Sequence, residues 1–257
     1  MTELVKYEQQ GAVATVTINS PDAMNSFTTE LCLALQLALE KAAEDESIRV
    51  VVLTGEGRSF SAGADLNAGF EGRPVSGKLH YEYRPVLSTI ATMPKPIIAA
   101  VPGSAAGIGM STALYCDLVI MADNAFLLSP FTTISLVPDG GLNWILVHHL
   151  GYHRAYQLSI EAERIPAERC VELGLVNRTA PADELQDAVS EWAQALAERA
   201  PLSLAATKKA MRFAMDNDWA SSYNLEAELQ QVCKDSDDCV EGVAAFFEKR
   251  KPAFKGK

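Results

Sequence analysis

The sequence predicts an α/β fold with a mostly parallel sheet, followed by a helical region. Two observations carry this: short, wholly apolar runs alternate with helical-period segments through the first half, and after about Gly140 the strand runs give way to helical patterns. Val13 to Ile18 has the alternating, β-branched pattern of a strand, and Thr28 to Ala43 repeats apolar residues at helical spacing. Val50 to Leu53, Ile97 to Val101 and Leu118 to Met121 are the short apolar runs expected of parallel strands buried on both faces, and they are expected to share one sheet. Ala182 to Arg199, Leu202 to Met215 and Trp219 to Val232 read as helices, with Pro166, Pro181 and Pro201 placed where helices begin. No internal repeat is visible. The expected division is an α/β core over residues 1–195 and a helical C-terminal region over residues 196–257.

Composition limits the functions to consider. A chain of 257 residues with 48% hydrophobic and 21% charged residues resembles an ordinary soluble globular protein, long enough for a sizeable core. No apolar run approaches the roughly 20 residues that span a bilayer, and the polar segment Met1 to Gln10 lacks a signal core, so a cytoplasmic location without membrane partners is expected. A net charge of −11 argues against nucleic-acid binding. The five cysteines are scattered without a CxxC spacing, which disfavours both a disulfide framework and a zinc site. His149 and His153 lack an acidic HExxH frame, and no metal site is expected. The tail is a basic tip on an acidic chain, with Lys249, Arg250, Lys251, Lys255 and Lys257 and no acid among them; on sequence alone a solvated tail is favoured over a binding role.

Ligands of parallel α/β sheets lie outside the carboxyl ends of the strands, which directs attention to the loops after Leu53 and Val101. The first contains Phe60-Ser61-Ala62-Gly63-Ala64-Asp65-Leu66. The second, Pro102 to Ser111, leads into an apolar helix. Small residues at a helix start leave N–H donors unpaired and aimed outward with the positive end of the helix dipole, and two such loops could converge on one oxyanion. Both loops could equally be tight βα turns. Gly109-Met110-Ser111-Thr112-Ala113 is one residue from a nucleophile elbow, so a serine hydrolase using Ser111, with Asp117 or Asp139 and His148, His149 or His153, is an alternative. A dinucleotide loop fits less well, because Thr112 stands where its third glycine belongs. In Val137-Pro138-Asp139-Gly140-Gly141, Asp139 reads either as the N-cap of the next helix or as a carboxylate in an apolar surround, raised in pKa and able to carry a proton.

Phe60 to Leu66, Lys95 to Gly103, Gly107 to Asp117, Val137 to Gly141 and Glu241 to Phe254 occur in an order that resembles the crotonase family, the enoyl-CoA hydratase/isomerase superfamily, over nearly the whole chain. The resemblance implies a crotonase-like spiral of ββα units with a helical C-terminal trimerisation region, forming a homotrimer or homohexamer. It implies an acyl-CoA substrate with coenzyme A as part of that substrate and no separate cofactor. The N–H groups of Ala64 and Ile108 would form the oxyanion hole, with Ala62, Gly63, Asp65, Leu66, Met24, Phe131, Ser111, Lys249 and Phe254 contributing to substrate or CoA binding. Ser111 and Phe131 occupy the positions where the family's hydratases carry two glutamates. Asp139 occupies the place of the single acid in its enoyl-CoA isomerases, so the resemblance implies a 3-enoyl-CoA to 2-enoyl-CoA isomerase, or a ring-modifying isomerase of that type. A hydratase with rearranged acids is the nearest alternative; a thioesterase or lyase relative, and a non-catalytic CoA-binding subunit, are further ones. Ala68 to Thr92 is expected to line the acyl pocket.

Overall fold

Every residue of Val50–Gly55 and of Ile97–Val101 is buried, as befits strands covered on both faces. The computed structural model describes residues 3–66 and 74–257. Its chain opens with β1 (Val5–Gln10) and β2 (Val13–Ile18), an antiparallel pair, and continues into α1 (Thr29–Glu44). The Thr28 hydroxyl caps α1 by accepting from the Leu31 N–H.

Three ββα units follow. In the first, β3 (Val50–Gly55) and β4 (Ser59–Ser61) precede α2 (Val75–Lys78), a π-helical turn (Leu79–Tyr83) and α3 (Arg84–Thr92). In the second, β5 (Ile97–Val101) and β6 (Ser104–Ala106) precede α4 (Ile108–Tyr115). In the third, β7 (Leu118–Ala122) and β8 (Phe126–Leu128) precede a 3-10 turn (Phe131–Ile134) and α5 (Leu142–Leu150). The chain then runs through α6 (Tyr152–Glu161), β9 (Ile165–Pro166), α7 (Ala167–Glu172), β10 (Arg178–Ala180) and α8 (Leu185–Ala197), ending in α9 (Pro201–Ala214), α10 (Trp219–Lys234) and α11 (Asp237–Glu248).

The first strand of each unit joins a six-stranded sheet, β1-β2-β3-β5-β7-β10, and the second joins a four-stranded sheet, β4-β6-β8-β9. Within each sheet the strands of successive units pair in parallel. The chain therefore winds as the expected spiral. Glycines let it pass from one sheet to the other: a Cβ on Gly55 would lie 2.5 Å from the Phe60 carbonyl oxygen, and one on Gly103 would collide with the Arg58 carbonyl. The helix α8 packs across β2, β3, β5 and β7 through Leu185, Val189, Ala193 and Ala197, one buried residue per turn.

Three features of the fold are not visible in the sequence. The repeat is structural, since its units share strand positions rather than residues, and this explains why the sequence hides it. The polar start contains β1, an edge strand whose exposed half carries Glu8, Gln9 and Gln10. Strands also continue past Gly140, because β9 and β10 are too short to show a period. Pro201 opens α9 as expected, while Pro181 lies in a turn before α8. A part-buried charge cluster fastens α9 to the core: Lys208 reaches Asp117 at 2.7 Å and Arg212 reaches it at 3.2 Å. Both bases also donate to main-chain carbonyls, Lys208 to Ile90 and Lys95, and Arg212 to Tyr115.

Candidate active site

The loop after β4 is held from below by the segment Met24 to Phe27. Ala62 N–H donates to the Met24 carbonyl (2.9 Å), Phe27 N–H to the Gly63 carbonyl (2.7 Å), and Asp65 N–H to the Phe27 carbonyl (3.1 Å). Asn25, fully buried, anchors that segment with its side-chain amide, donating to the carbonyls of Glu56 and Ser59 and accepting from Ser20 N–H. Its left-handed backbone, with φ of 56°, is one that Asn adopts readily. Met24 thus supports the loop through its main-chain carbonyl. Gly63, at φ 102°, lies against the second loop: a Cβ there would stand 3.0 Å from the Ala106 carbonyl oxygen and 3.7 Å from the Gly107 Cα.

That contact brings the two helix-forming loops together. Gly107, at φ 55°, donates to the Leu128 carbonyl and turns the chain into α4, whose first residue is Ile108. Among the described residues, the N–H groups of Ala64 and Ile108 donate to no protein acceptor. Both residues line one cavity of about 100 Å³, together with Ala62, Gly63, Asp65, Leu66, Phe131 and Asp139. The positive end of α4 favours an anion at this place.

The Asp139 loop reaches the cavity by lying flat on α4. A Cβ on Gly140, at φ 61°, would come within 2.6 Å of Ile108 Cδ1 and 3.0 Å of Ser111 Cβ, so only glycine fits. The Asp139 carboxylate is not an N-cap; Gly141 holds that position for α5, and no side chain caps the helix. Oδ1 of Asp139 is buried and, among the described residues, has no hydrogen-bond partner. Burial pushes the carboxyl up to about 6, against the opposing attraction of the Lys78 ammonium. Of the two readings of Asp139, the N-cap is the one the structure does not show.

Ser111 lies beneath the cavity rather than in its wall. It is fully buried, and its hydroxyl donates to the Asp139 carbonyl at 3.0 Å and is 3.3 Å from the Gly107 carbonyl. The histidines are not brought to it: His148 and His149 project from α5, each ring nitrogen against the carbonyl one turn back in its own helix. Asp117 is engaged by Lys208 and Arg212. The partners of a hydrolytic triad are therefore not assembled around Ser111. Among the described residues, no group of three or more His, Cys, Asp or Glu is placed to hold a metal ion, and no helix is long and apolar enough to cross a membrane.

Lys78, Leu79 and Tyr83 line the same cavity. The sequence placed their segment at the acyl pocket without singling them out, and residues 68–73 of that segment lie outside the described residues. A lone cation and an aromatic within an irregular helix gave no spacing signal to read.

The tail is irregular and its five cations are exposed, but it is pinned to the fold, and the structure does not bring it to this chain's own cavity. Arg250 is bound bidentately by Glu241 and also by Glu248, which draws the Glu241 carboxyl down to about 2. Asp238 accepts from the N–H groups of Lys255 and Gly256. Phe254 packs over Gly242, and its carbonyl accepts from Arg49 at 2.7 Å. Arg49 precedes β3, whereas the Ala64 loop follows that unit's strands; at about 3.3 Å per residue the six-residue strand separates them by roughly 20 Å. Phe254 thus sits at the opposite end of the sheet from Asp139, and Lys249 is the left-handed C-cap of α11.

Residues 8–257 match the family described as Enoyl-CoA hydratase/isomerase. The chain is 37% identical to the probable enoyl-CoA hydratase of Rhodobacter capsulatus over 98% of each chain. It is 34% identical to the 1,2-epoxyphenylacetyl-CoA isomerase of Escherichia coli over 100% of each chain. Among solved structures, it superposes on an enoyl-CoA hydratase from Bacillus anthracis with a TM-score of 0.95 and 31% identity, covering 99% of this chain and 100% of the other.

Proposed function

The chain belongs to the enoyl-CoA hydratase/isomerase family, and from that premise we propose that it converts a 3-enoyl-CoA to the conjugated 2-enoyl-CoA, with Asp139 as the proton shuttle. The observation that carries this is the unpartnered, buried Oδ1 of Asp139 beside the free N–H groups of Ala64 and Ile108. The ionised carboxylate takes a proton from C2, and the electron pair of the broken C–H bond delocalises onto the thioester oxygen as a dienolate. Ala64 and Ile108 N–H groups hold that oxygen. Asp139 then returns the proton to C4, the dienolate reforms the thioester carbonyl, and the double bond rests between C2 and C3. Phe131 keeps the adjoining wall apolar, which favours proton return over addition of water. Coenzyme A enters and leaves as part of the substrate, and no further cofactor is required by this chemistry.

A hydratase with rearranged acids is the alternative. It is favoured by one observation, that Asp65 is a second carboxylate lining the cavity. Turnover of a 3-enoyl-CoA and a 2-enoyl-CoA, followed by mass spectrometry in native protein and Asp139→Asn, separates the two. Loss of a water-free 3-to-2 shift in the variant supports the isomerase; hydration of the 2-enoyl substrate that survives in the variant overturns it.

A homotrimer or homohexamer is part of the same proposal. Its support is that α9 and α10 bury no residue within the chain, while Met211, Trp219, Tyr223, Phe246 and Phe247 stand exposed. The position of the tail, far from its own cavity, fits a role at another protomer. Light scattering in solution tests it, and a monomer at micromolar concentration would overturn it.

A further inference from the structure

Resting on the isomerase proposal, we infer that the substrate carries an apolar acyl group of medium length or longer, whose part beyond C4 passes Asp139 into a second cavity between α3 and the Asp139 loop. The first cavity, at about 100 Å³, is the smaller of the two spaces that meet at Asp139. A base that serves both C2 and C4 must lie alongside those atoms, so carbons from C5 onward lie on its far side. There the structure has a cavity of about 630 Å³. Asp139, Leu79 and Tyr83 line both spaces, so the carboxylate stands at the passage between them.

The second space is apolar where a chain would run. Leu79, Tyr83, Leu87, Ala91, Tyr115 and Pro138 form its walls. The polar residues His80, Arg84, Ser88 and Thr92 also border it, three of them on α3 or its start and all four exposed. Val137, another wall residue, is 71% exposed, an apolar surface that an acyl chain would cover. Burying one methylene is worth about 0.8 kcal/mol, which corresponds to an upper limit of about fourfold in affinity or kcat/KM per added carbon.

The test uses the full chain with 3-hexenoyl-, 3-octenoyl- and 3-decenoyl-CoA, and with the unreactive butyryl- and decanoyl-CoA measured by calorimetry. The expected result is a rise in kcat/KM of at least tenfold from the hexenoyl to the decenoyl substrate, and decanoyl-CoA bound at least tenfold more tightly than butyryl-CoA. Ala91→Trp, with folding checked by its melting curve, is expected to bring the decenoyl-to-hexenoyl ratio close to one. Equal kcat/KM across the series overturns the second cavity as the acyl chamber, as does an unchanged ratio in folded Ala91→Trp. Failure to isomerise any 3-enoyl-CoA overturns the isomerase proposal instead. The calorimetric pair still decides the chamber in that event, equal affinities counting against it.

Discussion

The Ser111 hydroxyl donates to the main-chain carbonyl of Asp139 at 3.0 Å, so the residue that stands at a hydratase glutamate position here supports the loop that carries the acid. Its task is positional. Ser111→Ala removes a buried hydrogen bond worth about 1 kcal/mol and leaves a carbonyl that still accepts from Leu142 N–H. The expected outcome is a loss in kcat/KM below about tenfold, since binding and the acid persist, and no change in labelling by a fluorophosphonate. A nucleophilic serine would lose a thousandfold or more and all labelling, as removal of a member of a hydrolytic triad does.

If the proposed shuttle operates, Asp139 sets the pH dependence. With its carboxyl pushed up to about 6, the basic form that accepts the C2 proton dominates only above that value. The kcat/KM profile is therefore expected to fall on the acid side with an apparent pKa near about 6, and Asp139→Asn is expected to lower kcat by about 10²- to 10⁴-fold. A profile flat down to about pH 4.5 would remove Asp139 from the role of base.

The same carboxyl makes a prediction about stability, with the opposite sense to an ordinary salt-bridged acid. In the unfolded chain Asp139 loses its proton near 3.8, and in the folded chain only near about 6. As pH rises between those values the unfolded state releases the proton first, so stability present at low pH is lost as pH climbs through about 6. The cost is about 1–3 kcal/mol, kept below the full shift because the group is partly open to solvent. Asp139→Asn is expected to melt higher than the native protein at about pH 8 and to show no such advantage at about pH 4.

The cluster around Asp117 is a structural commitment. Lys208 is nearly enclosed, its side chain only 8% exposed, and Asp117 is its only acidic partner within 4 Å among the described residues. Asp117→Ala would leave that ammonium buried and unpaired, a change that costs about 3–5 kcal/mol. Denaturant unfolding is expected to show the loss, together with release of α9 detected as raised hydrogen exchange over Pro201–Ala214. A loss under about 1 kcal/mol would mean that α9 is held by its apolar contacts alone.

The parts of this molecule that were legible in sequence are those with a period or a motif. Val50–Gly55 and Ile97–Val101 announced themselves because burial on both faces demands continuous apolar residues, and α1 because sixteen residues allow its stripe to repeat. The three-residue strands β4, β6 and β8 did not, being shorter than any period, and with them went the second sheet. At the site, the small residues around Ala64 and Ile108 showed where a backbone could be approached, whereas the contact of Gly63 with Gly107 belongs to tertiary structure. Asp139 was ambiguous because Pro-Asp-Gly-Gly is equally good turn chemistry; only the burial of Oδ1 separates the two meanings. Lys78 ends α2 and Tyr83 ends the π-helical stretch after it, and the change of spacing between them conceals which face meets the cavity. The basic tail misled in part, since its acidic partners Glu241, Glu248 and Glu198 lie outside it in sequence.

The winding of the chain distributes labour by turn. Ala64 follows the second strand of the first unit, Ile108 that of the second, and Phe131 and Asp139 that of the third. In the proposed reaction the first two turns hold the thioester with main-chain groups, which no ordinary side-chain replacement removes. The third supplies the side chains that choose what happens to the gripped molecule. Inheritance can therefore rewrite the third turn while the other two keep their hold, and a lineage built this way can change its reaction without first surrendering its substrate.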